Sequence, residues 1–266
     1  MHMKRVMLRV AYDGTEYCGW QVQPNGITIE EVLNRQLTRI TGTEVAVIGA
    51  SRTDSGVHAK GNVCVFDTES RIPAEKFAFA LNAGLPQDVV VQNSCEVAAD
   101  FHPRHCDCHK TYEYRIYNAT FPDPLLRRYS HFLYHKLDVE AMRQAAQYLV
   151  GEHDFKSFCS VNTQVKDTVR RVNSIEVLAE PRQTAAEEDA KLITIRINGN
   201  GFLYNMVRII AGTLIQVGFH RYPPEQVATI LAAKDRAAAG ETAPACGLTL
   251  IEICYQESDY RKGSEE

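Results

Sequence analysis

Ala50-Ser51-Arg52-Thr53-Asp54-Ser55-Gly56-Val57-His58-Ala59 is a run of small and polar residues between two strand-like stretches, Thr43 to Ile48 before it and Asn62 to Phe66 after it. Period-two alternation on both sides marks Gly49 to Lys60 as a loop joining strands. Arg52 and Asp54 stand two apart in it. In a tight loop a neighbouring guanidinium keeps a carboxylate ionised, the state that a nucleophile or base requires. A solvated loop with an incidental ion pair accounts for the same residues, because structural ion pairs outnumber catalytic ones.

Outward from this loop, Lys4 to Tyr12 alternates with Val6, Leu8, Val10 and Tyr12 on one face, a strand that runs into the turn Asp13-Gly14-Thr15. Thr28 to Ile40 reads as a helix with an apolar stripe of Ile29, Val32, Leu33, Leu37 and Ile40. Thr28 and Glu31 form a capping box and Gly42 suits its exit. A short helix follows over Ala74 to Ala83 and a strand over Val89 to Val97. Past His102 to His109 a similar rhythm starts again. Strands are expected at Lys110 to Asn118, Thr168 to Leu178, Leu192 to Asn198 and Leu248 to Tyr255, with a polar loop over Ala179 to Ala190. Helices are expected at Val139 to Val150 (capped by Asp138, leaving through Gly151), Phe202 to Val217 and Pro224 to Ala233. The fold class is therefore α+β: two halves around a mostly antiparallel sheet with helices on one side. Residues 4–105 form the N-terminal half, 106–256 the C-terminal half, and 257–266 a frayed tail.

The totals bound the function. With 266 residues, 45% of them hydrophobic, the chain can bury a large core. Its net charge of -4 announces no nucleic-acid partner, so any RNA contact must come from a local basic surface. No apolar run approaches a membrane span, and Met1 to Arg5 leads straight into a strand, not a signal peptide. The eight cysteines are scattered, and Cys64 and Cys254 lie in apolar runs as small core residues would; reduced thiols in a cytoplasm are expected. Neither GxGxxG nor GxxxxGK[ST] occurs, which excludes both nucleotide fingerprints.

The central loop resembles the RTDxGVHA signature of the TruA-type tRNA pseudouridine synthases. Four further stretches are similar to that family, in order: Tyr12-Asp13-Gly14-Thr15 with Tyr17-Cys18-Gly19-Trp20-Gln21-Val22-Gln23-Pro24; Phe101-His102-Pro103-Arg104 with Lys110-Thr111-Tyr112-Glu113-Tyr114; Asn205-Met206-Val207-Arg208-Ile209-Ile210-Ala211-Gly212; and Gly247-Leu248. The resemblance implies the pseudouridine synthase fold with a central active-site cleft, and isomerisation of uridine at tRNA positions 38, 39 and 40 in the anticodon stem-loop, without cofactor or metal. It implies Asp54 as the catalytic carboxylate, acting at ribose C1′ or otherwise. Tyr112 corresponds to the tyrosine that stacks on the target base, Arg208 to the arginine that pairs with the aspartate, and Arg52 to the arginine that holds the flipped nucleotide. It also implies a cytoplasmic homodimer. Ser51 and Ser55 depart from the usual glycine and alanine, which bears on loop geometry and not on chemistry. The reaction itself asks for one ionised carboxylate, an aromatic platform and positive charge, with the uridine out of its stack. His58 joins the expected substrate-binding residues, and local charge adds Arg104, Lys110, Arg127, Arg128, Lys166, Arg170 and Arg171 as phosphate contacts.

Each assignment has a plainer rival. His58 can simply tie its own loop together, Tyr112 and Tyr114 can be core aromatics, and Arg208 can snorkel from an apolar helix. His102, His105, Cys106, Cys108 and His109 look like zinc ligands, but Cys-x-Cys-His is not a common structural spacing and no second pair stands near. An RNA-binding module without catalysis would use the same surface, but the intact Arg52-Thr53-Asp54 argues against it. A glycoside hydrolase would need a second carboxylate, for which only Asp13 or Glu16 offers itself, and it would release free uracil.

Overall fold

The computed structural model describes residues 3–161, 165–182, 187 and 189–256. It is mixed α+β, its strand pairs almost all antiparallel, and it divides into two compact units.

The first unit contains residues up to Cys108 and the chain from Leu250 onward. It opens with β1 (Lys4–Tyr12), where Val6, Leu8 and Val10 are fully buried and the residues between them only partly so. That is the alternation expected when one sheet face carries the main core. Helix α1 (Ile29–Thr41) begins at Thr28, whose extended backbone lets its Oγ1 accept from the Glu31 N–H at 3.3 Å, and ends at Gly42 with φ 74°. Glu31 does not close the capping box; its carboxylate pairs one turn ahead with Arg35. The expected strand over Thr43 to Ile48 shrinks to β2 (Ile48–Gly49). Side chains of α1 claim the intervening backbone: Val45 N–H donates to Thr38 Oγ1 at 3.2 Å and Val47 N–H to Asn34 Oδ1 at 2.9 Å. Residues bonded in this way have no N–H left for a ladder. β3 (His58–Thr68) starts four residues before the expected strand. A 3-10 turn then leads into α2 (Phe77–Asn82), and β4 (Val89–Val97) has the expected bounds. β1 pairs antiparallel with β3 on one side and β4 on the other. On the second face, Val65, Val97 and Phe101 gather Met7, Ile48, Cys95, Cys106 and Tyr255 into a smaller apolar cluster.

The second unit, His109–Thr249, holds most of β5 (Cys108–Asn118), then β6 (His131–Leu133), α3 (Val139–Gln147), β7 (Gly151–Asp154), β8 (Val169–Pro181), β9 (Lys191–Gly199), α4 (Met206–Gly218) and α5 (Gln226–Ala233). Asp138 caps α3 through the N–H groups of Glu140 and Ala141, both at 3.0 Å. The helix stops short of Val150 because residues 148–150 tighten into i→i−3 bonds before Gly151 opens β7 at φ 115°. The antiparallel order is β5-β9-β8-β7, and β6, which has no sequence signature, adds a short parallel pair to β5. β8 reaches Pro181, into the stretch read as a loop; residues 183–186 and 188 of that loop lie outside the described residues, as does the expected tail 257–266. α4 is buried on almost every face because apolar residues run all the way round it, with Arg208 and Gln216 only partly covered.

The last strand, β10 (Leu248–Tyr255), belongs from Leu250 to the first unit, where it lies beside β3 in the order β4-β1-β3-β10. Cys254 corrects an expectation: it is exposed, because Ile253 takes the inward position and strand alternation turns its neighbour out. Cys64 is fully buried as expected, and all eight cysteines are free thiols.

Candidate active site

The loop at 50–58 is shaped by the segment after β1. Trp20 N–H donates to the Thr53 carbonyl at 3.0 Å, Ser55 Oγ donates to the Tyr17 carbonyl at 3.1 Å, and Val57 N–H closes a turn on the Asp54 carbonyl at 3.1 Å. Gly14 allows the closest approach: a Cβ built there would lie 2.0 Å from the Val57 carbonyl oxygen, so no other residue fits without moving that carbonyl. Beneath the loop, Tyr12 OH and Thr53 Oγ1 share a 2.7 Å hydrogen bond, and Asn62 Nδ2 donates to Tyr12 OH at 3.1 Å and to the Ser51 carbonyl at 3.0 Å. Tyr17 is anchored in turn, its hydroxyl donating to Asp88 Oδ1 at 2.6 Å; burial and that bond hold its proton on far above the ordinary tyrosine range.

These bonds sort the loop by direction. Ser51, Thr53, Val57 and His58 point inward, while Arg52 and Ser55 are exposed and Asp54 lies partly open to solvent. His58 is buried at 4% exposure, with Nδ1 3.1 Å from the Gly14 N–H and 3.2 Å from Asp13 Oδ1. It ties the two segments together at the point of closest approach.

The other expected residues belong to other segments of the chain. Arg104 is exposed in the segment before β5. In that segment His102 and His105 stack at 3.9 Å and Cys106 Sγ donates to the His102 carbonyl; among the described residues no group of three or more His, Cys, Asp or Glu is placed to hold a metal ion. In the second unit, Lys110 and Tyr112 are on β5. Tyr112 is buried, its ring edge-to-face with Phe202 at 5.2 Å. Tyr114, two residues on, is fully buried and donates to the Pro244 carbonyl at 2.9 Å; burial raises its pKa. Beside Tyr112 runs a side-chain ladder in which Asn198 Nδ2 donates to Thr111 Oγ1 at 3.0 Å and Asn173 Nδ2 to Asn198 Oδ1 at 2.8 Å. Arg170 and Arg171 stand at the start of β8, and Arg170 Nη1 donates to two carbonyls of its own turn, Asp167 and Val169. Arg127, Arg128 and Lys166 lie in the connections before β6 and β8.

Arg208, on the first turn of α4, is half-buried. Its Nε donates to the Ala243 carbonyl at 2.8 Å and its Nη1 to Asn205 Oδ1 at 2.9 Å. The segment at 240–243 reaches it because α4 passes so near that a Cβ at Gly212 would lie 1.8 Å from the Glu241 carbonyl oxygen. The sequence assigns no role to Phe202, or to Asn205 beyond its place in the matching stretch, yet they brace Tyr112 and Arg208. For Phe202 nothing local distinguishes a brace from any apolar residue.

A family model described as tRNA pseudouridine synthase matches residues 9–105 and 145–256. The chain belongs to the tRNA pseudouridine synthases, enzymes that isomerise uridine in tRNA. It is 46% identical over 253 residues to tRNA pseudouridine synthase A of Ruminiclostridium cellulolyticum and 47% identical to that of Brevibacillus brevis, each alignment covering 95% of this chain and 100% of the relative. The matched stretches contain Arg52, Asp54, His58 and Arg208; Tyr112 falls between them. No helix among the described residues is long and apolar enough to cross a membrane.

Proposed function

We propose that the chain converts uridine to pseudouridine at positions 38, 39 and 40 in the anticodon stem-loop of tRNA, with Asp54 as the catalytic carboxylate. The observation that carries this reading is the locking of two sequence-distant segments, 12–20 and 50–58, through main-chain bonds that leave Asp54 on the open side of a rigid loop. An enzyme group must be held this way to act without reorganising. In the reaction the N1–C1′ bond breaks, the uracil turns, C5 bonds to C1′, and one proton leaves C5 while one is taken up at N1. Nothing is gained or lost, so no cofactor is called for. Asp54 serves as nucleophile or base, Tyr112 as aromatic platform for the base, Arg208 as the cationic partner of the carboxylate, and exposed Arg52 as the group that holds the flipped nucleotide. His58 acts by fixing the loop. Arg104, Lys110, Arg170 and Arg171, with Arg127, Arg128 and Lys166, meet phosphates. A cytoplasmic homodimer is part of the same reading, which here rests on the family resemblance.

The test is Asp54→Asn, assayed in EDTA by mapping pseudouridine in tRNA. The amide preserves the shape of the loop but offers no carboxylate, so turnover falls by about 10³-fold or more. tRNA affinity stays nearly unchanged, because it rests on phosphate contacts spread over a wide surface. Substantial turnover by this variant moves the catalytic role elsewhere.

A further inference from the structure

Asn205 is built in an unusual way. It has φ 61° and ψ 7°, one of three non-glycine residues with positive φ among the described residues, and it stands at the N-cap of α4 without capping it. An asparagine at that place ordinarily gives its side-chain oxygen to the N–H groups of the first turn. Here Oδ1 accepts from Arg208 Nη1 at 2.9 Å and Nδ2 donates to Ser160 Oγ at 2.8 Å. The orientation of the amide follows from chemistry: a guanidinium has only donors, so the atom facing it must be the oxygen, and the NH2 group is left for the serine. Ser160 is itself pinned, its N–H donating to the Tyr204 carbonyl at 3.1 Å. The left-handed backbone that starts the helix and the side chain that would have capped it are thus both committed to Arg208. With Ala243 receiving Nε, two neutral oxygens are among the acceptors that orient the guanidinium.

We propose that Asn205 is a positioning residue for the isomerisation, orienting Arg208 while Ser160 orients the asparagine. The inference rests on the reading of Arg208 as part of the catalytic set. It gives the left-handed Asn205 backbone a purpose, since asparagine tolerates that conformation better than other non-glycine residues and also brings an acceptor to the arginine. It also explains why asparagine and not glycine stands there. Glycine would take the same backbone without strain but could not hold the arginine.

The experiment is a cycle of Asn205→Gly, Arg208→Ala and the double variant, each measured for kcat and KM with a tRNA transcript and for Tm. Asn205→Gly keeps the left-handed helix start, so Tm should fall by no more than the few degrees that two lost side-chain hydrogen bonds cost. kcat should drop about tenfold or more, the effect of losing a hydrogen bond to a charged group, while KM moves by less than about twofold. In the Arg208→Ala background the same change should cost nothing further, because the group it positions is gone. Wild-type kcat in Asn205→Gly alongside an impaired Arg208→Ala overturns the inference, as does a double variant whose losses multiply. Wild-type kcat in Arg208→Ala overturns the reading of Arg208 instead.

Discussion

The Asp54 loop and the Arg208 helix are held by different means. Around Asp54 the bonds run between main chains: Trp20 N–H to the Thr53 carbonyl, Gly56 N–H to the Tyr17 carbonyl, and the close approach of Gly14 to Val57. The side chain is aimed because the backbone beneath it cannot move. Around Arg208 the helix is anchored by apolar burial, and the guanidinium is aimed by acceptors at its own nitrogens, Asn205 Oδ1 and the Ala243 carbonyl. A carboxylate two bonds from its backbone inherits the backbone's precision. An arginine with four side-chain torsions does not, and must be fixed at its far end. The two regions should therefore fail differently: the first all at once when its backbone is displaced, the second by degrees as individual hydrogen bonds are removed.

The largest effect should come from Gly14→Ala. The added methyl would meet the Val57 carbonyl, so the loop must shift, costing about 3 kcal/mol of stability in urea unfolding together with most of the activity. A fully active and stable Gly14→Ala would end the claim that backbone packing aims Asp54. A finer comparison pairs Tyr12→Phe with Tyr114→Phe. Each removes one buried hydroxyl, from the Thr53–Asn62 network and from Pro244 respectively, and each should cost about 1 kcal/mol in thermal or urea unfolding. Because the Asp54 loop keeps its main-chain bonds, Tyr12→Phe should lower kcat far less than Asn205→Gly does. Equal losses of kcat would erase the contrast between the regions. The smallest effect concerns Glu113, nearly buried on β5 between Arg115 at 3.0 Å and Arg196 at 2.6 Å. Burial pushes its pKa up, but the bonds from the two arginines outweigh it and hold the carboxyl below its ordinary 4.5. Its contribution to stability is then present above about pH 4.5 and lost as the pH falls through the lowered value. Arg196 is about half exposed, so the contribution is under about 1 kcal/mol. The Tm gap between wild type and Glu113→Gln should be present at pH 7 and close in acid; a gap independent of pH contradicts the ion-pair account.

Much was legible from order along the chain alone. β1, β4 and the start and end of α1 follow from alternation, from Thr28 and from Gly42, because pleat and cap are local consequences of residue type. The segments that shape the Asp54 loop stood out as well, through the family resemblance, although which backbone atoms they join did not. Other features depended on neighbours distant in sequence. Thr43 to Val47 has the pattern of a strand, and only the nearness of Thr38 and Asn34 takes its N–H groups away from a ladder. Cys254 lies in an apolar run, and only the choice of Ile253 as the inward residue turns it to solvent. Asn205 reads as one residue in a helical motif until its left-handed backbone and its bond to Arg208 are seen. Alternation and capping are written into adjacent residues, so the sequence alone determined strands such as β1 and β4 and both ends of α1, while its family resemblance indicated the kind of chemistry. Hydrogen bonds and close approaches between distant segments exist only once the chain has folded, so the tertiary structure decided what aims Asp54 and Arg208.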